Sequence, residues 1–366
     1  MYKDGQVATK LEGDFIMNEQ HLYWVGMDVS EASFDAAVVS PGQYANPETI
    51  RRLPAATFAR DPRGVKAFVQ WLRKLLPGGQ PLPVRGVMEA TGIYSIHLAA
   101  MLSKQFPELE PAIANPQQTS AFRDSLGLRN KTDRLDARAL AFYGLSRQPD
   151  AYVPLSPAQA ELRSLSRCRD TFKEQRVAHQ NQIKQHPDSD LSRKLLRGQV
   201  AQLKKDMQTL EREMKRIIQS DANLRTDYRL LTSIPGVGFV TAATTLAELG
   251  DLRRFGGSRQ VSATAGVTPS HSDSGQSNPP AHMSKKGNPR VRRVLYMAAL
   301  SASRHNPHLS LVYNRLLKAG KEPMVALGAL MRKLIVLMRA IVVSGRVYDP
   351  LWKTRPRKEP IAAKTA

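Results

Sequence analysis

Only one cysteine, Cys168, occurs in the 366 residues of the chain. That excludes a disulfide framework and a cysteine-based zinc site within one chain, and it suits a reducing cytoplasm. Long apolar runs are missing as well. The most apolar segment, Met324–Val343, is interrupted by Arg332, Lys333 and Arg339, so it reads as a buried or amphipathic helix and not as a membrane span. The first stretch of the chain has no continuous apolar run and carries Asp4, Glu12, Asp14 and Glu19, the wrong composition for a secretory signal. No basic amphipathic helix with an aromatic face marks a membrane-surface protein. These absences lead to the expectation of a soluble, cytoplasmic protein with no membrane partner.

Acidic residues are also in short supply. Asp and Glu total 32 against 54 Lys and Arg, a net charge of +22. An excess of that size is more than solubility requires and points to a polyanion, most simply nucleic acid. The charge is unevenly spread. Residues 224–366 hold 23 basic and 7 acidic side chains, a net of +16, while residues 1–223 hold the remaining +6. The C-terminal third is therefore expected to be the main electrostatic contact surface.

The length allows two or three domains with cores of their own. Residues 1–20 read as a loose extension. From Leu22 the pattern becomes α/β. Leu22–Val29 is a short apolar run ending in an acid, and Ser33–Ser40 is able to pair with it as a hairpin. Helical spacing over Pro62–Leu76 is followed by a buried strand at Val84–Glu89, a helix at Tyr94–Lys104 and a strand near Pro111–Ala114. This alternation predicts a three-layer α/β domain over residues 21–150. Residues 157–220 show no strand pattern and one break, at His186-Pro187-Asp188. Beyond it Leu196, Val200, Leu203, Met207, Leu210, Met214 and Ile217 step by four and three, a heptad seam. The stretch with Leu162, Leu165, Phe172 and Ile183 could fold back on that seam, or both could face another subunit. A coiled-coil region that oligomerises is expected.

The third region, 224–345, reads as mainly helical. Ile234-Pro235-Gly236-Val237-Gly238 precedes the helical run Phe239–Glu248. Such a turn has the shape of a helix-hairpin-helix element, in which Gly236, Gly238 and the next helix N-terminus offer N–H groups to a phosphate. An ordinary helix–loop–helix corner has the same spacing. Arg253, Arg254 and Arg259 just downstream favour the phosphate. A polar loop from Thr268 to Pro280 leads into a basic run in which Lys285, Lys286, Arg290, Arg292 and Arg293 are expected to contact phosphates. A basic tail, 346–366, closes the chain.

The chemistry is carried by acids. Asp133 and Asp136 lie three residues apart at the expected start of a helix, so they share a face and could hold one divalent ion between them. Arg129, Lys131, Arg134 and Arg138 around them suit a site that receives a phosphate backbone. The plainer alternative has Asp133 capping the helix and Asp136 in an ordinary ion pair. Asp28 ends the first strand and Glu89 the second, and active sites in open α/β sheets collect at strand ends beside helix termini. Four carboxylates meeting there would bind one or two Mg²⁺ ions with positions left open for phosphate oxygens.

These segments resemble a known family. Asp28 within GMDVS, Glu89 within MEATGIY, and Asp133 and Asp136 within LRNKTDRLDARALA look like the DEDD signature of the insertion-sequence 110 transposases, which include the Piv/MooV-type DNA invertases. The segments IPGVG, SATAGVTPSHSDSGQ and MSKKGNPRVRRVLYMAA resemble that family's C-terminal transposase region, in the same order. The likeness covers about residues 22–345. It implies a RuvC-like, RNase H-type N-terminal domain with Asp28, Glu89, Asp133 and Asp136 as Mg²⁺ ligands. It further implies that Ser274, before Gly275, is a nucleophile forming a phosphoserine bond to one DNA strand. From residue chemistry alone Ser270, Ser272, Ser274 and Ser277 are indistinguishable, and His271-Ser272-Asp273 does not belong to the family's pattern. His271 and His282 could assist proton transfer. The resemblance also implies a structured noncoding guide RNA (bridge RNA), target and donor DNA, and a dimer or tetramer. A metal-dependent Holliday-junction-type nuclease without serine chemistry, and a non-enzymatic nucleic-acid scaffold, are the rival readings.

Overall fold

The computed structural model describes residues 23–43, 45–76, 84–128, 132–185, 189–270 and 282–351. The chain divides into two compact units between Pro154 and Leu155. It is a mixed α/β protein, mostly helical.

The first unit runs β1 (Tyr23–Val29), β2 (Ser33–Val39), α1 (Pro47–Arg52), β3 (Ala55–Ala59), α2 (Pro62–Leu75), β4 (Val84–Glu89), α3 (Ile93–Gln105), β5 (Ala112–Ala114), α4 (Pro116–Ser125) and α5 (Asp133–Arg147). Its five strands form one sheet in the order β3-β2-β1-β4-β5. β1 pairs antiparallel with β2 and parallel with β4, and the expected hairpin at Ser33–Ser40 is present as β2. β3 and α1, which carry no clear periodic signal, extend and flank the sheet. The mixed sheet is consistent with a RuvC-like nuclease fold.

Alternation along the strands builds three layers. Val25, Met27 and Val29 point to one face, where they pack with Phe68 and Leu72 of α2 and Leu98 and Leu102 of α3. Trp24, with Val87 of β4, Ala112 and Ala114 of β5, points to the other face and packs with Leu140 and Phe142 of α5. Asp28, in step with Trp24, belongs to that second face. Gly26 lies between them, and a Cβ there would sit 2.1 Å from the Ala137 carbonyl oxygen. The missing side chain lets α5 lie directly on β1. Gly144, one end of the same contact, meets the Trp24 ring, where a Cβ would come within 2.4 Å. Small residues on both partners thus fix how close, and in which register, the helix crosses the strand.

The second unit is helical: α6 (Pro157–Gln185), α7 (Asp190–Ser220), α8 (Ala222–Thr232), α9 (Phe239–Leu249), α10 (Ser258–Thr264), a two-stranded ribbon of β6 (Pro269–Ser270) and β7 (His282–Met283), then α11 (Pro289–His305), α12 (Pro307–Lys318) and α13 (Pro323–Ser344). α6 and α7 lie along one another, and Arg169 of α6 reaches Glu211 of α7 at 2.6 Å. Of the heptad positions, Met207, Met214 and Ile217 are buried. Nearer the tip of the pair, Leu191 and Leu195 stay 68% and 61% exposed. α9, α11 and α13 form the core of the unit, with Leu246, Leu295, Leu334 and Met338 at its centre. Among the described residues no helix is long and apolar enough to cross a membrane.

Candidate active site

Two of the four expected acids, Asp28 and Glu89, come to one place through sheet register, and the first turn of α5 brings Asp133 and Asp136 toward them. The parallel pairing of β1 and β4 ends with Met27 beside Met88, so the next residues, Asp28 and Glu89, emerge side by side at the same sheet edge. Both lie on the face that α5 covers. The close crossing at Gly26 sets the N-terminus of α5 over that edge, with Asp133 and Asp136 in its first turn. The helix cap is Thr132, whose hydroxyl accepts the Leu135 N–H at 3.3 Å. Asp133 is therefore not the cap, and the plainer reading of it as one is corrected. A first-turn position still favours both acids, because the helix dipole places partial positive charge there.

The electrostatics record the convergence. The Asp28 carboxyl is pushed up to about 6 from its ordinary 3.8, by burial first and then by the negative charges of Asp136, Asp133 and Glu89. Helix α4 supplies two partners to the same acids. Thr119 donates to Glu89 Oε2 at 2.8 Å, and Arg123, one turn later, donates from Nη1 to Asp136 Oδ1 at 2.9 Å. Asp35, opposite Asp28 in the β1–β2 register, is also buried on this face; it accepts from Thr57 at 2.6 Å and lies 3.7 Å from Arg134. Arg138 donates to the Leu53 carbonyl at 3.0 Å. Arg134 and Arg138, expected to face a phosphate backbone, are thus tied into their own unit. Arg129 and Lys131 lie outside the described residues.

The chemistry of this donor set fits a hard divalent cation, since all four side chains offer carboxylate oxygens and their mutual repulsion lacks a full counter-charge. The geometry is not yet a cage. Among the described residues no three Asp, Glu, His or Cys side chains gather closely enough to share an ion. Asp136 is held by Arg123.

In the second unit the turn after α8 follows the expected corner. Gly236 adopts φ +101°, and a Cβ there would meet the Ala302 backbone at 2.8 Å. Close packing on α11 accounts for that glycine. Gly238 is exposed at the N-terminus of α9, with no side-chain cap. Arg253 forms a two-point pair with Asp227, at 2.6 and 2.9 Å, and Arg254 stacks on Phe255 at 5.0 Å. Arg290 lies 4.0 Å from Asp170, Arg293 pairs with Glu174 at 2.6 Å, and Arg292 donates to the Lys285 carbonyl at 3.0 Å. Lys285 and Lys286 are exposed. Of the expected phosphate contacts, the arginines are mostly engaged within the fold and the two lysines face outward. Asn288 caps α11 and also donates to Glu248 at 2.8 Å. Burial alone would raise the Glu248 carboxyl, but hydrogen bonds from Arg167 and Asn288 outweigh it and hold it below its usual value. Ser274 and His271 lie outside the described residues.

Comparison with known proteins finds matches in both units. The profile of the DEDD transposases of insertion sequence 110 matches residues 25–189, and that of the transposase IS116/IS110/IS902 family matches residues 228–314. The chain is 26% identical over 328 residues to the pilin gene-inverting protein of Moraxella bovis, covering 89% of this chain and 97% of that one. It is 27% identical over 247 residues to the transposase of insertion sequence element IS1111A from Coxiella burnetii, covering 60% of this chain and 66% of that one. The chain belongs to the IS110 family of transposases. It is therefore an enzyme that cleaves and joins DNA, and the DEDD type implies use of a divalent metal.

Within this IS110-family transposase, sequence reading missed Asp35, Thr119 and Arg123. Asp35 had a signal, as an acid in step with the inward residues of β2. Thr119 and Arg123 had none, because nothing in the sequence placed α4 against the acids.

Proposed function

We propose that the protein is a site-specific recombinase that cuts and rejoins DNA through a phosphoserine formed by Ser274, with Mg²⁺ held by Asp28, Glu89, Asp133 and Asp136. The observation that supports the reading is that Asp133, Asp136 and Glu89 lie near enough to Asp28 for their charges to add to burial in raising its carboxyl. Ser274 Oγ would lose its proton and bond to phosphorus, while the bond from phosphorus to one strand oxygen breaks and that oxygen leaves as a hydroxyl. Keeping the phosphoester energy in the enzyme lets a second strand reverse the step without external energy. A bound divalent ion supplies charge neutralisation at the phosphate. Glu89 is oriented for that task by Thr119, and the α5 dipole adds positive potential beside Asp133 and Asp136.

Target and donor DNA would be chosen by a structured noncoding RNA, as the family resemblance implies. The net charge of +22, concentrated in residues 224–366, supports a protein that holds more than one nucleic acid. Strand exchange needs two copies or more, and the heptad seam, with Leu191 and Leu195 exposed beside it near the start of α7, supports a coiled-coil dimer that pairs into a tetramer. Gly238 and the α9 N-terminus, with Lys285 and Lys286, are the proposed phosphate contacts.

The test is a denaturing gel for a covalent protein–DNA adduct, formed with Mg²⁺, element-end DNA and RNA transcribed from the element's flanks. The expected result is an adduct in the wild type that is lost in both Ser274→Ala and Asp28→Ala. Metal-dependent cleavage that survives Ser274→Ala without any adduct would instead mean a resolvase-type nuclease.

A further inference from the structure

Arg123 stands where the carboxylate set most needs a positive charge. Its side chain is 26% exposed, its Nη1 lies 2.9 Å from Asp136 Oδ1, and its Nη2 lies 4.0 Å from Asp124. The bond to Asp136 raises the guanidinium above its usual value, with Glu89 contributing through its charge. Its Nε is buried with no hydrogen-bond partner, so the group is not seated for its own full satisfaction. Its strongest contact is with an acid that the metal centre needs. Thr119, four residues earlier on the same face of α4, makes the matching contact to Glu89. One face of α4 therefore holds two of the four acids.

Arg123 and a divalent ion would compete for Asp136, whose Oδ1 the guanidinium already occupies. A guanidinium in a charge-assisted hydrogen bond competes with a divalent ion for the same carboxylate oxygens, and its charge repels the ion at short range. We propose that Arg123 is a positioning residue, the resident counter-cation of the carboxylate set, which holds Asp136 in the metal-free enzyme and must release it for a divalent ion to load. This rests on the metal-centre reading above. It makes metal affinity a property set by α4 as well as by the ligands.

The experiment measures Mn²⁺ binding by the full-length protein without nucleic acid, reading free Mn²⁺ by electron paramagnetic resonance. Arg123→Gln should bind Mn²⁺ more tightly, on the order of tenfold, since a charge-assisted bond is lost and a repelling charge removed. Arg123→Lys, which keeps the charge, should stay within about threefold of wild type by the same reasoning. Arg85→Gln removes a charge at the far end of β4, where Arg85 pairs with Glu110 at 3.4 Å, and should leave binding unchanged. Thermal melts of each variant establish that it is folded. Unchanged or weaker binding in folded Arg123→Gln, with Asp28→Asn and Asp136→Asn both binding poorly, would overturn the counter-cation role alone. Wild-type binding in Asp28→Asn and Asp136→Asn would overturn the metal centre and this inference together.

Discussion

Asp28 is held against its own preference, and that makes a residue-scale prediction. Its carboxyl titrates near 3.8 in the unfolded chain and near 6 in the fold. Below pH 4 it is protonated in both states, and its charge costs nothing. Between those values the folded form keeps a proton that the unfolded form has released, so stability falls as pH rises. Above pH 6 the fold bears the whole penalty. Asp28→Asn should therefore raise the melting temperature of the metal-free protein at pH 8, with the gain shrinking toward pH 4; equal gains at both pH values would contradict the charge account. The residue itself was legible in the sequence because an acid closing an apolar strand is conspicuous. Thr119 and Arg123 were not, since a polar residue in a helix carries no mark of which distant side chain it will meet, and Asp35 was marked only as an acid in step with the inward residues of β2.

At the scale of elements, the crossing of α5 over β1 does most to build the site. Gly26→Ala inserts a methyl where the Ala137 carbonyl oxygen is 2.1 Å away. A backbone neighbour cannot rotate aside, so the helix must lift. The expected cost is about 1–3 kcal/mol, read from urea melts, together with weaker metal binding as Asp133 and Asp136 move off the sheet edge. A neutral result would mean that the close crossing is not needed. The strands and long helices were legible through their periods of two and near three and a half. β3 and α1 were not, because short exposed elements need neighbours more than pattern. The four-three spacing along α7 was legible, and Met207, Met214 and Ile217 of it are buried, but sequence could not apportion the seam between α6 and another subunit. Leu191→Lys with Leu195→Lys should weaken self-association on the order of tenfold or more, since two exposed leucines stand at 68% and 61%. Sedimentation unchanged by that pair would place any interface elsewhere.

At the scale of the whole molecule, the four proposed metal-site acids lie in the first unit, and a net charge of +16 lies in residues 224–366. Charge at that scale governs affinity through counterion release, so nucleic-acid binding should weaken steeply with salt. Lys285→Ala with Lys286→Ala should reduce the slope of log affinity against log salt by about 1–2, uniformly across sequences. Loss of affinity for one sequence only would mean that these lysines read bases. Arg253 makes a contrast: its two-point pair with Asp227 predicts that Arg253→Ala acts first on stability. The basic excess was plain in the sequence, whereas the sorting of its members into internal ion pairs and outward charges required the fold.

The central claim is that one sheet edge of the first unit is the metal centre for DNA cleavage, and its most direct test is crystallographic. Crystals of the full chain soaked in Mn²⁺ would be measured for anomalous scattering. The account predicts a peak in contact with Asp28 and Glu89, at about 2.0–2.2 Å as expected for a small octahedral ion, with Asp136 turned away from Arg123 and toward the metal. Absence of a peak at Asp28 and Glu89 under saturating Mn²⁺, or a peak only at acids elsewhere, would contradict it.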